Sequence, residues 1–396
     1  MARSGALLPR ERIVGLDIGT SKVRLIAADF EHGRLTEIVG VGEAVSEGVR
    51  DGAIVDLASA SESISSAVAG LQCEAPGDLA HVVVSTSGKH IASLNSRAVT
   101  AITRSSRRIT QDDVSRANEQ TKVIVLPPDR EIIHCIPRWY RVDGQDGVLN
   151  PVGMYGSRLE VEAHIVTGNY SHTQNLNMVV KSAGLIPGGA VLSSLASAEC
   201  ILYKEERRMG VMLVDIGDGI CDIAIYMDGT IAYTAAIPAG GGDISRELSA
   251  SLRISETDAE LVKIELQTSV GTHESVEAII GKTIDYIFSL IRQELVKSGY
   301  YNILPGGVVI TGGSAGLKMI AELASRALAM PVRIGLPQID NQISGLYNRP
   351  EYATALGLLL RTSRNSTPSV PSRTAGLKGG IDQIRSILSR LGSNYG

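Results

Sequence analysis

Apolar residues follow two different spacings along this chain, and the two alternate through most of its length. "RIVGLDIGTSKVRLIAADF" (12–30) predicts a strand, a glycine turn and a second strand, and "HVVVSTSG" (81–88) predicts a further strand. Between them, "DLASASESISSAVAGLQ" (56–72) has its apolar residues at helical spacing. Strands that alternate with helices in this way predict an α/β protein.

The pattern changes between about residue 85 and residue 166. Thr110 is a predicted N-cap, and Asp112 and Asp113 would lie in the first helical turn, where the helix dipole favours acids. Two β-rich stretches follow, "PPDREIIHCIPRWYRVDG" and "RLEVEAHIVTG". We therefore expect a small α/β insert placed after the strand at 81–85.

The second part of the chain begins with "VMLVDIGDGICDIAIYMDG" (211–229), which predicts a buried hairpin. Helical patterns over 242–299 separate this hairpin from "GGVVITGGSAGLKMIAELASRAL" (306–328), and "PEYATALGLLLR" (350–361) predicts a later helix. Residues 362–380 are rich in Ser, Thr, Pro and Gly, which is the composition of a flexible linker.

The two hairpins form an internal repeat. Each has an apolar strand, Asp-Ile-Gly, a short turn and a second apolar strand, with Asp17 and Asp215 at matching positions. Glycines in such a turn let consecutive backbone N–H groups cup a phosphate, and an aspartate at the strand end can hold a hydrated Mg²⁺ that contacts it. One such turn is most often an ordinary hairpin with an exposed acid, but two in register predict a phosphate site between two halves.

A third glycine turn follows the strand that ends at Thr311. Gly312 and Gly313 would let an adenosine lie against the backbone at the strand end, and Ser314 is predicted to cap the next helix. By itself this turn could equally be an ordinary strand end. "GKT" (281–283) is not a phosphate-binding P-loop, because Val276 occupies the required glycine position and the context is helical.

Two further stretches, one in each part of the chain, are rich in small residues. Ala196 and Ala198 in the first, and Ala353, Ala355 and Gly357 in the second, would let two helices cross closely. Such a crossing can be the pivot between two lobes, or simply tight helix packing.

Composition narrows the classes of function. With 396 residues the chain can form two or more domain-sized units. A net charge of -4 gives no general attraction to nucleic acid or anionic lipid, and 4% aromatic residues argue against a base-stacking surface. The scattered cysteines Cys73, Cys135, Cys200 and Cys221 indicate reduced thiols, and we expect neither a signal peptide nor a membrane span.

The order of these features resembles that of the actin-like ATPase superfamily. Within it, the chain is similar to the FtsA family of bacterial cell-division proteins over about residues 12–361. The most specific stretches are "PPDREIIHCIP", "VDGQDGVLNPVGM" and "RLEVEAHIVTG" in the insert, with "PAGGGDISRELS" (238–249) and "VRIGLPQIDNQISGL" (332–346) elsewhere.

The resemblance implies a duplicated, two-lobed actin-like (ribonuclease H-like) fold with the insert as an FtsA-type 1C subdomain. The expected core subdomains are 1A (10–84 plus 167–192) and 2A (193–240 plus 303–361). The insert 1C would span 85–166, and a helical subdomain 2B would span 241–302.

The resemblance also implies ATP and Mg²⁺ as ligands. Asp17 and Asp215 are the expected catalytic pair and would hold Mg²⁺ through water. The other expected nucleotide contacts are Gly19, Thr20, Ser21 and Lys22 in the first loop; Gly217, Asp218, Gly219 and Asp222 in the second; Gly241, Gly242 and Asp243 closing over the sugar and phosphates; Glu260 and Lys263 facing the adenosine; and Gly312, Gly313 and Ser314 lining its other side. Glu260 and Lys263 could instead be a surface pair one helical turn apart.

Two departures from the family pattern bear on hydrolysis. Many relatives open the helix after the first half with Glu-Pro, and that Glu orients the attacking water, whereas this chain has Ser193-Ser194. Glu199 would point away from the same edge by about 120° in a helix. Asp218 also stands where relatives usually have glycine or alanine. Without a positioned carboxylate, we expect ATP binding with slow hydrolysis.

The end of the chain predicts an amphipathic helix over 381–391. One apolar stripe is formed by Ile381, Ile384, Ile387, Leu388 and Leu391. FtsA proteins carry a membrane-targeting helix in this place, although a helix docked on the protein is the alternative. The stripe lacks Trp and Phe, so we expect weak binding by a monomer and stronger binding by a filament.

The resemblance implies an actin-like protofilament that tethers the FtsZ C-terminal tail to the inner face of the membrane and contacts later division proteins through the insert. The tail would dock on residues 242–299, with Arg292, Glu294 and Lys297 as proposed contacts. Two alternatives are a pilus-assembly scaffold of the PilM type and an actin-fold sugar kinase. The insert argues against the first, and the lack of a clear catalytic base argues against the second.

Overall fold

The computed structural model describes residues 11–71, 81–268, 274–339 and 345–366. Within these ranges the chain forms sheets of five, four and five strands, a two-stranded sheet, and helices that pack on them. Cys73, the stretch 367–380 of the predicted linker and the predicted helix at 381–391 lie outside the described residues. None of the helices in the described ranges combines the length and the apolar character needed to cross a membrane.

The first five-stranded sheet holds the first Asp-Ile-Gly hairpin at its centre. It contains β1 (Glu11–Ile18), β2 (Lys22–Glu31), β3 (Arg34–Val45), β6 (His81–Thr86) and β11 (Ile186–Leu192), in the spatial order β11-β6-β1-β2-β3. The strands β1, β2 and β3 are antiparallel, whereas β6 and β11 run parallel to β1. A short pair, β4 (Val49–Arg50) and β5 (Ala53–Ile54), leads into α1 (Leu57–Ala69), which packs on this sheet with α3 (Tyr170–Ser182).

The second five-stranded sheet repeats this topology. It contains β12 (Val211–Ile216), β13 (Cys221–Met227), β14 (Thr230–Ile237), β15 (Val308–Thr311) and β16 (Val332–Ile334), in the order β14-β13-β12-β15-β16. Here too an antiparallel three-strand meander is extended by two parallel strands. All six residues of β12 are buried, as expected of a central strand covered on both faces.

Helices cover the second sheet and extend it into a helical region. They are α5 (Lys204–Met209), α6 (Gly241–Leu252), α7 (Glu256–Thr268), α8 (Glu274–Ser298) and α9 (Ile320–Leu328). The apolar residues of α8 recur every three or four positions, and this stripe packs into the core of the second sheet. "GKT" (281–283) lies inside α8, as expected.

The insert forms the four-stranded sheet, in the order β7-β10-β8-β9. Its elements are β7 (Ala92–Ala101), α2 (Gln111–Thr121), β8 (Arg130–Val142), β9 (Gln145–Val148) and β10 (Arg158–Asn169). Thr110 caps α2 as predicted, and Asp113 completes a capping box. The strand β10 continues to Asn169, beyond the predicted end of the insert, and Asn169 is the N-cap of α3.

Two helices join the halves. Helix α4 (Ser193–Ile201) follows β11 directly, and α10 (Ala353–Ser366) closes the described chain. A Cβ added at Gly357 would lie 1.9 Å from the carbonyl oxygen of Ala196, so the two backbones touch. The predicted close crossing is therefore confirmed. The predicted start of the linker at residue 362 is wrong, because α10 extends to Ser366 and Arg364 forms an ion pair with Glu199 of α4.

Candidate functional site

The two Asp-Ile-Gly hairpins close in the same way. The backbone N–H of Gly19 donates to the carbonyl of Lys22 at 3.0 Å, and the N–H of Gly217 donates to the carbonyl of Ile220 at 2.9 Å. A Cβ at Gly19 would lie 2.9 Å from the Lys22 carbonyl oxygen, closer than side chains tolerate. The repeat seen in the sequence is thus a repeat of backbone geometry.

The two turns face each other across one cavity of about 230 Å³. A Cβ at Gly219 of the second turn would lie 2.9 Å from the hydroxyl of Thr20 in the first. The predicted residues that line the cavity are Asp17, Gly19, Thr20, Ser21, Lys22, Asp215, Gly217, Asp218, Gly219, Asp222, Glu260, Lys263, Gly312, Gly313 and Ser314. Residues from both halves and from all three glycine turns therefore surround one space.

Three of the carboxylates that line this cavity, those of Asp17, Asp215 and Asp222, each have a hydroxyl partner. Ser85 hydrogen-bonds Asp17, Ser87 donates to both oxygens of Asp222 at 2.6 Å, and Thr354 donates to Asp215 at 2.9 Å. Burial raises the pKa of all three carboxyl groups, that of Asp215 to about 6 and that of Asp222 well above its usual range. The neighbouring Asp17 carboxylate also raises the pKa of Asp215.

Carboxylates gathered in this way suit a hydrated divalent cation. A cation would offset both the burial and the mutual repulsion of the acids, and oxygen ligands are those that Mg²⁺ prefers. The N–H groups of Gly19 and Gly217 are used within their own turns, so phosphate oxygens would approach the remaining N–H groups at the tips of the two turns. The residues present therefore fit a phosphate-bound Mg²⁺. Its positive charge would offset the negative charge of the phosphates and of the carboxylates.

Cationic side chains also line the cavity. Lys22 is exposed, Lys263 is only 4% exposed and forms an ion pair with Glu260 at 2.6 Å, and Arg24 and Arg349 also line the space. The Lys263 ammonium donates to the carbonyl of Gly241 at 2.9 Å. Glu260 and Lys263 are therefore cavity residues and not an isolated surface pair.

The third glycine turn differs in part from its prediction. Gly312 has φ +89°, and a Cβ there would meet Asp215 Oδ1 at 2.4 Å, so glycine is required at this position. Ser314 does not cap a helix: it lies inside a 3₁₀ turn (Gly313–Gly316), its hydroxyl contacts the carbonyl of Gly217 at 3.4 Å, and α9 begins only at Ile320.

Gly241, Gly242 and Asp243 were expected to close over the nucleotide, but they do not line the cavity. They form the first turn of α6 behind the second Asp-Ile-Gly hairpin turn, where the N–H groups of Gly241 and Gly242 donate to the carbonyls of Gly217 and Asp218. The Asp243 carboxylate accepts from the Gly240 N–H and pairs with Arg246. These contacts hold the second turn in place, and a Cβ at Gly241 would lie 2.4 Å from Oγ of the cavity residue Ser314.

Helix α4 begins with Ser193 and Ser194, so no acidic residue opens it. Ser193 lines the cavity and donates to the carbonyl of Thr86 at 3.2 Å. Glu199 lies elsewhere, in ion pairs with Arg207, Arg361 and Arg364. No carboxylate on α4 therefore reaches the cavity, in line with the departure noted in the sequence.

Several cavity residues were missed by the sequence analysis. Arg24 is the cross-strand partner of Asp17, and it is held by Glu43 at 2.9 Å and by the carbonyl of Glu351 at 3.0 Å. The register of the first hairpin alone could have identified Arg24 as the neighbour of Asp17 at the cavity. The other missed residues that line the cavity are Ile18, Gly52, Ser87, Ser193, Ile220, Ile264, Arg349, Pro350, Glu351 and Thr354.

The proposed contacts for the FtsZ tail lie at the end of α8, outside the cavity. Arg292 donates to the hydroxyl of Tyr301 at 3.2 Å, and Glu294 accepts from the hydroxyl of Tyr233 and from Lys297. A separate groove of about 610 Å³ lies between α6 and α8 and is lined by Asp243, Arg246, Glu247, Ala250, Ser251, Ile279, Lys282, Thr283 and Tyr286.

Comparison with known proteins identifies the family. The model "SHS2 domain inserted in FTSA" matches residues 88–167, and the model "Cell division protein FtsA" matches residues 212–357. Cell division protein FtsA of Borreliella burgdorferi is 38% identical over 376 residues, which cover 89% of this chain and 91% of the relative. The FtsA of Escherichia coli is 30% identical over 96% of this chain and 98% of its own length.

The chain belongs to the FtsA family.

Solved structures agree on the fold of this FtsA-family chain. A "PilM-PilN type IV pilus biogenesis complex" matches with a TM-score of 0.67 and 17% identity, covering 90% of this chain and 99% of that one. MreB5 of Spiroplasma citri bound to ADP matches with a TM-score of 0.52 and 12% identity, covering 90% of this chain and 98% of that one. At such identities the likeness shows the fold alone. The predicted actin-like fold, with the insert characteristic of FtsA, is confirmed.

Proposed function

We propose that this chain is an ATP- and Mg²⁺-binding division protein that polymerises on the membrane and tethers FtsZ there. The observation that carries the nucleotide part is the pair of hairpin turns that close with the same backbone hydrogen bond and face one cavity, which is lined by Asp17, Asp215 and Asp222. Membership of the FtsA family supports cell division as the process.

Asp17, Asp215 and Asp222 would face the cation, and the backbone N–H groups of the two turns would face the phosphates. The glycine turn at Gly312 and Gly313 would lie against the adenosine, opposite Glu260 and Lys263. Hydrolysis would be slow, because Ser193 lines the cavity at the position where relatives have a glutamate, and a hydroxyl is a poor general base.

The filament would be an actin-like protofilament of copies of this chain, and the insert would recruit later division proteins. The predicted helix at 381–391 would place this filament on the inner face of the cytoplasmic membrane. Many weak anchors along one filament give strong attachment through effective concentration.

The FtsZ C-terminal tail would dock on the helical region formed by α6, α7 and α8. The end of α8, with Arg292, Glu294 and Lys297, is one place for it, although these side chains are engaged with their own neighbours. The groove between α6 and α8 has room for a peptide and offers the exposed Tyr286 and the cation Lys282. Pull-down with an FtsZ C-terminal peptide distinguishes these two docking places. Lys282→Glu abolishes peptide binding if the peptide occupies the groove, and Lys297→Glu abolishes it if the peptide binds at the end of α8.

Liposome sedimentation tests the whole proposal. Full-length protein with ATP and FtsZ is compared with a variant that stops at Arg373. We expect the full-length protein to carry FtsZ into the liposome pellet and the shortened variant to leave both proteins in the supernatant. Equal sedimentation of the two variants would contradict the membrane role of the tail, and FtsZ in the supernatant of the full-length sample would contradict the tethering role.

A further inference from the structure

Two hydroxyl groups hold one oxygen of Asp215. Ser197 and Thr354 both donate to Oδ2 of Asp215, Thr354 at 2.9 Å, and the two hydroxyl oxygens are 2.9 Å apart. All three side chains are buried, Ser197 completely. Ser197 belongs to α4, Thr354 to α10 and Asp215 to β12, so three elements distant in the sequence meet at one carboxylate oxygen.

The arrangement divides the two oxygens of this carboxylate between protein and cavity. The Ser197 hydroxyl also lies 3.0 Å from the carbonyl of Ser193, one turn earlier in α4, but it is closer to Oδ2 of Asp215. Each hydroxyl carries a single proton, and with both protons given to Oδ2 that oxygen is satisfied by the protein. Among the described residues, no hydrogen bond reaches Oδ1. That oxygen lies beside Gly312, where a Cβ would come within 2.4 Å of it. The hydroxyl pair therefore fixes the rotation of the carboxylate and leaves Oδ1 for the space that Gly312 lines.

The same two hydroxyls belong to the helices that join the halves. Ser197 directly follows Ala196, whose carbonyl oxygen touches the backbone of Gly357, and Thr354 lies one helical turn before that glycine. The other side of α10 packs on the first sheet, where a Cβ at Gly15 would lie 3.0 Å from the carbonyl oxygen of Ala355. A shift of either helix at the crossing therefore moves a hydrogen-bond donor of Asp215.

We propose that Ser197 and Thr354 are positioning residues that aim Asp215 at the cation and couple occupation of the cation site to the crossing of α4 and α10. This inference rests on the proposed function, because it concerns the Mg²⁺ site of a bound nucleotide. In this role both hydroxyls act through Asp215; Thr354 also lines the cavity, whereas Ser197 lies behind Asp215.

A purely structural role makes a different prediction. If the hydroxyls only satisfy buried groups, their loss weakens the fold and lowers ATP affinity to the same extent with and without Mg²⁺. If they aim Asp215, their loss lowers ATP affinity more in Mg²⁺ than in EDTA, so that the gain in affinity that Mg²⁺ provides becomes smaller. The ratio of ATP affinities with Mg²⁺ and with EDTA separates the two roles.

The test is isothermal titration calorimetry with ATP, in Mg²⁺ and in EDTA, on the full chain. Thr354→Val removes the hydroxyl at constant shape, Thr354→Ser restores it, and Ser197→Ala is the second variant if Thr354→Val does not fold. Thr362→Val is the matched control, because Thr362 is on the same helix and its hydroxyl donates to the carbonyl of Leu358 at 2.7 Å.

We expect Thr354→Val to reduce the Mg²⁺-dependent gain in ATP affinity about tenfold, the size of one charge-assisted hydrogen bond. Thr354→Ser and Thr362→Val should retain the wild-type gain. A wild-type gain in Thr354→Val and Ser197→Ala, or an equal loss with and without Mg²⁺, would overturn the inference while the proposed function stands. A wild-type protein whose ATP binding does not depend on Mg²⁺ would overturn the proposed function itself, and the inference with it.

Discussion

The insert is docked on the second half through a buried histidine, and this contact should make stability depend on pH. His164 of β10 lies between Asn95 Oδ1 at 2.8 Å and Thr234 Oγ1 of β14 at 3.0 Å. The amide nitrogen of Asn95 already donates to the carbonyl of Ala232. Its oxygen must therefore accept from His164 Nδ1–H, which leaves Nε2 to accept from Thr234. This pattern requires the neutral imidazole.

Burial lowers the pKa of His164 from 6.5 to about 3. The folded-state pKa thus lies below the unfolded-state value, so the contribution of neutral His164 is complete above pH 6.5 and is lost as the pH falls towards 3. Each pH unit below the unfolded value costs about 1.4 kcal/mol. Between about pH 7 and about pH 5 the loss is about 2 kcal/mol, and it hardly depends on how far below 5 the folded-state pKa lies.

The assay is the free energy of unfolding by urea, measured at several pH values from about 5 to about 7 for wild type and His164→Gln. The variant should be less stable at neutral pH, because the hydrogen bonds are lost, but its stability should fall less on acidification, by about 2 kcal/mol. His81→Gln, at an exposed position of β6, should keep the wild-type pH dependence. An unchanged pH dependence in His164→Gln would refute the reasoning.

Three further predictions concern the helix crossing and the cavity. Gly357→Ala puts a Cβ 1.9 Å from the Ala196 carbonyl oxygen and should lower the free energy of unfolding by about 3 kcal/mol, measured by urea unfolding; a neutral effect would contradict the backbone contact. Gly219→Ala places a methyl group 2.9 Å from the Thr20 hydroxyl and should weaken ATP binding in calorimetry at least about tenfold, and affinity equal to wild type would show that the two turns do not share a ligand. Ser193→Glu puts a carboxylate at the cavity and should raise ATP hydrolysis by about 10²-fold in a phosphate-release assay, whereas an unchanged rate would show that the missing acid does not limit turnover.

The parts of the fold that the sequence predicted are those set by local pattern. The two hairpins, the insert and the close helix crossing depend on glycine positions and on apolar spacing, which are visible in one segment at a time. The sequence placed the end of α10 too early, because Ser, Thr and Asn at 362–366 suggest a linker. That turn is helical in the structure, where Arg364 pairs with Glu199 of another helix.

The site was predictable to the same extent. Both glycine turns that face the cavity were predicted from the repeat. The hydroxyl partners of Asp222 and Asp215 were not, because Ser87, Ser197 and Thr354 come from elements far apart in the chain. Ser197 and Thr354 lie among the small residues that predicted the close helix crossing. Nothing in the sequence separates these two hydroxyls, as partners of Asp215, from the alanines and the glycine beside them. The helix-capping role expected of Ser314 was wrong because Ser314 lies inside a 3₁₀ turn, where its hydroxyl donates to the carbonyl of Gly217, a residue from another part of the chain.

The central claim is that one Mg²⁺-nucleotide lies between Asp17 and Asp215. The most direct measurement is the affinity of ATP, by isothermal titration calorimetry in Mg²⁺ and in EDTA, for wild type, Asp17→Asn and Asp215→Asn, with Asp228→Asn at the exposed β13–β14 turn as control. We predict that Mg²⁺ strengthens ATP binding in wild type and in the control, and that this gain disappears in both cavity variants. A Mg²⁺-dependent gain that survives in Asp17→Asn and Asp215→Asn would contradict the account.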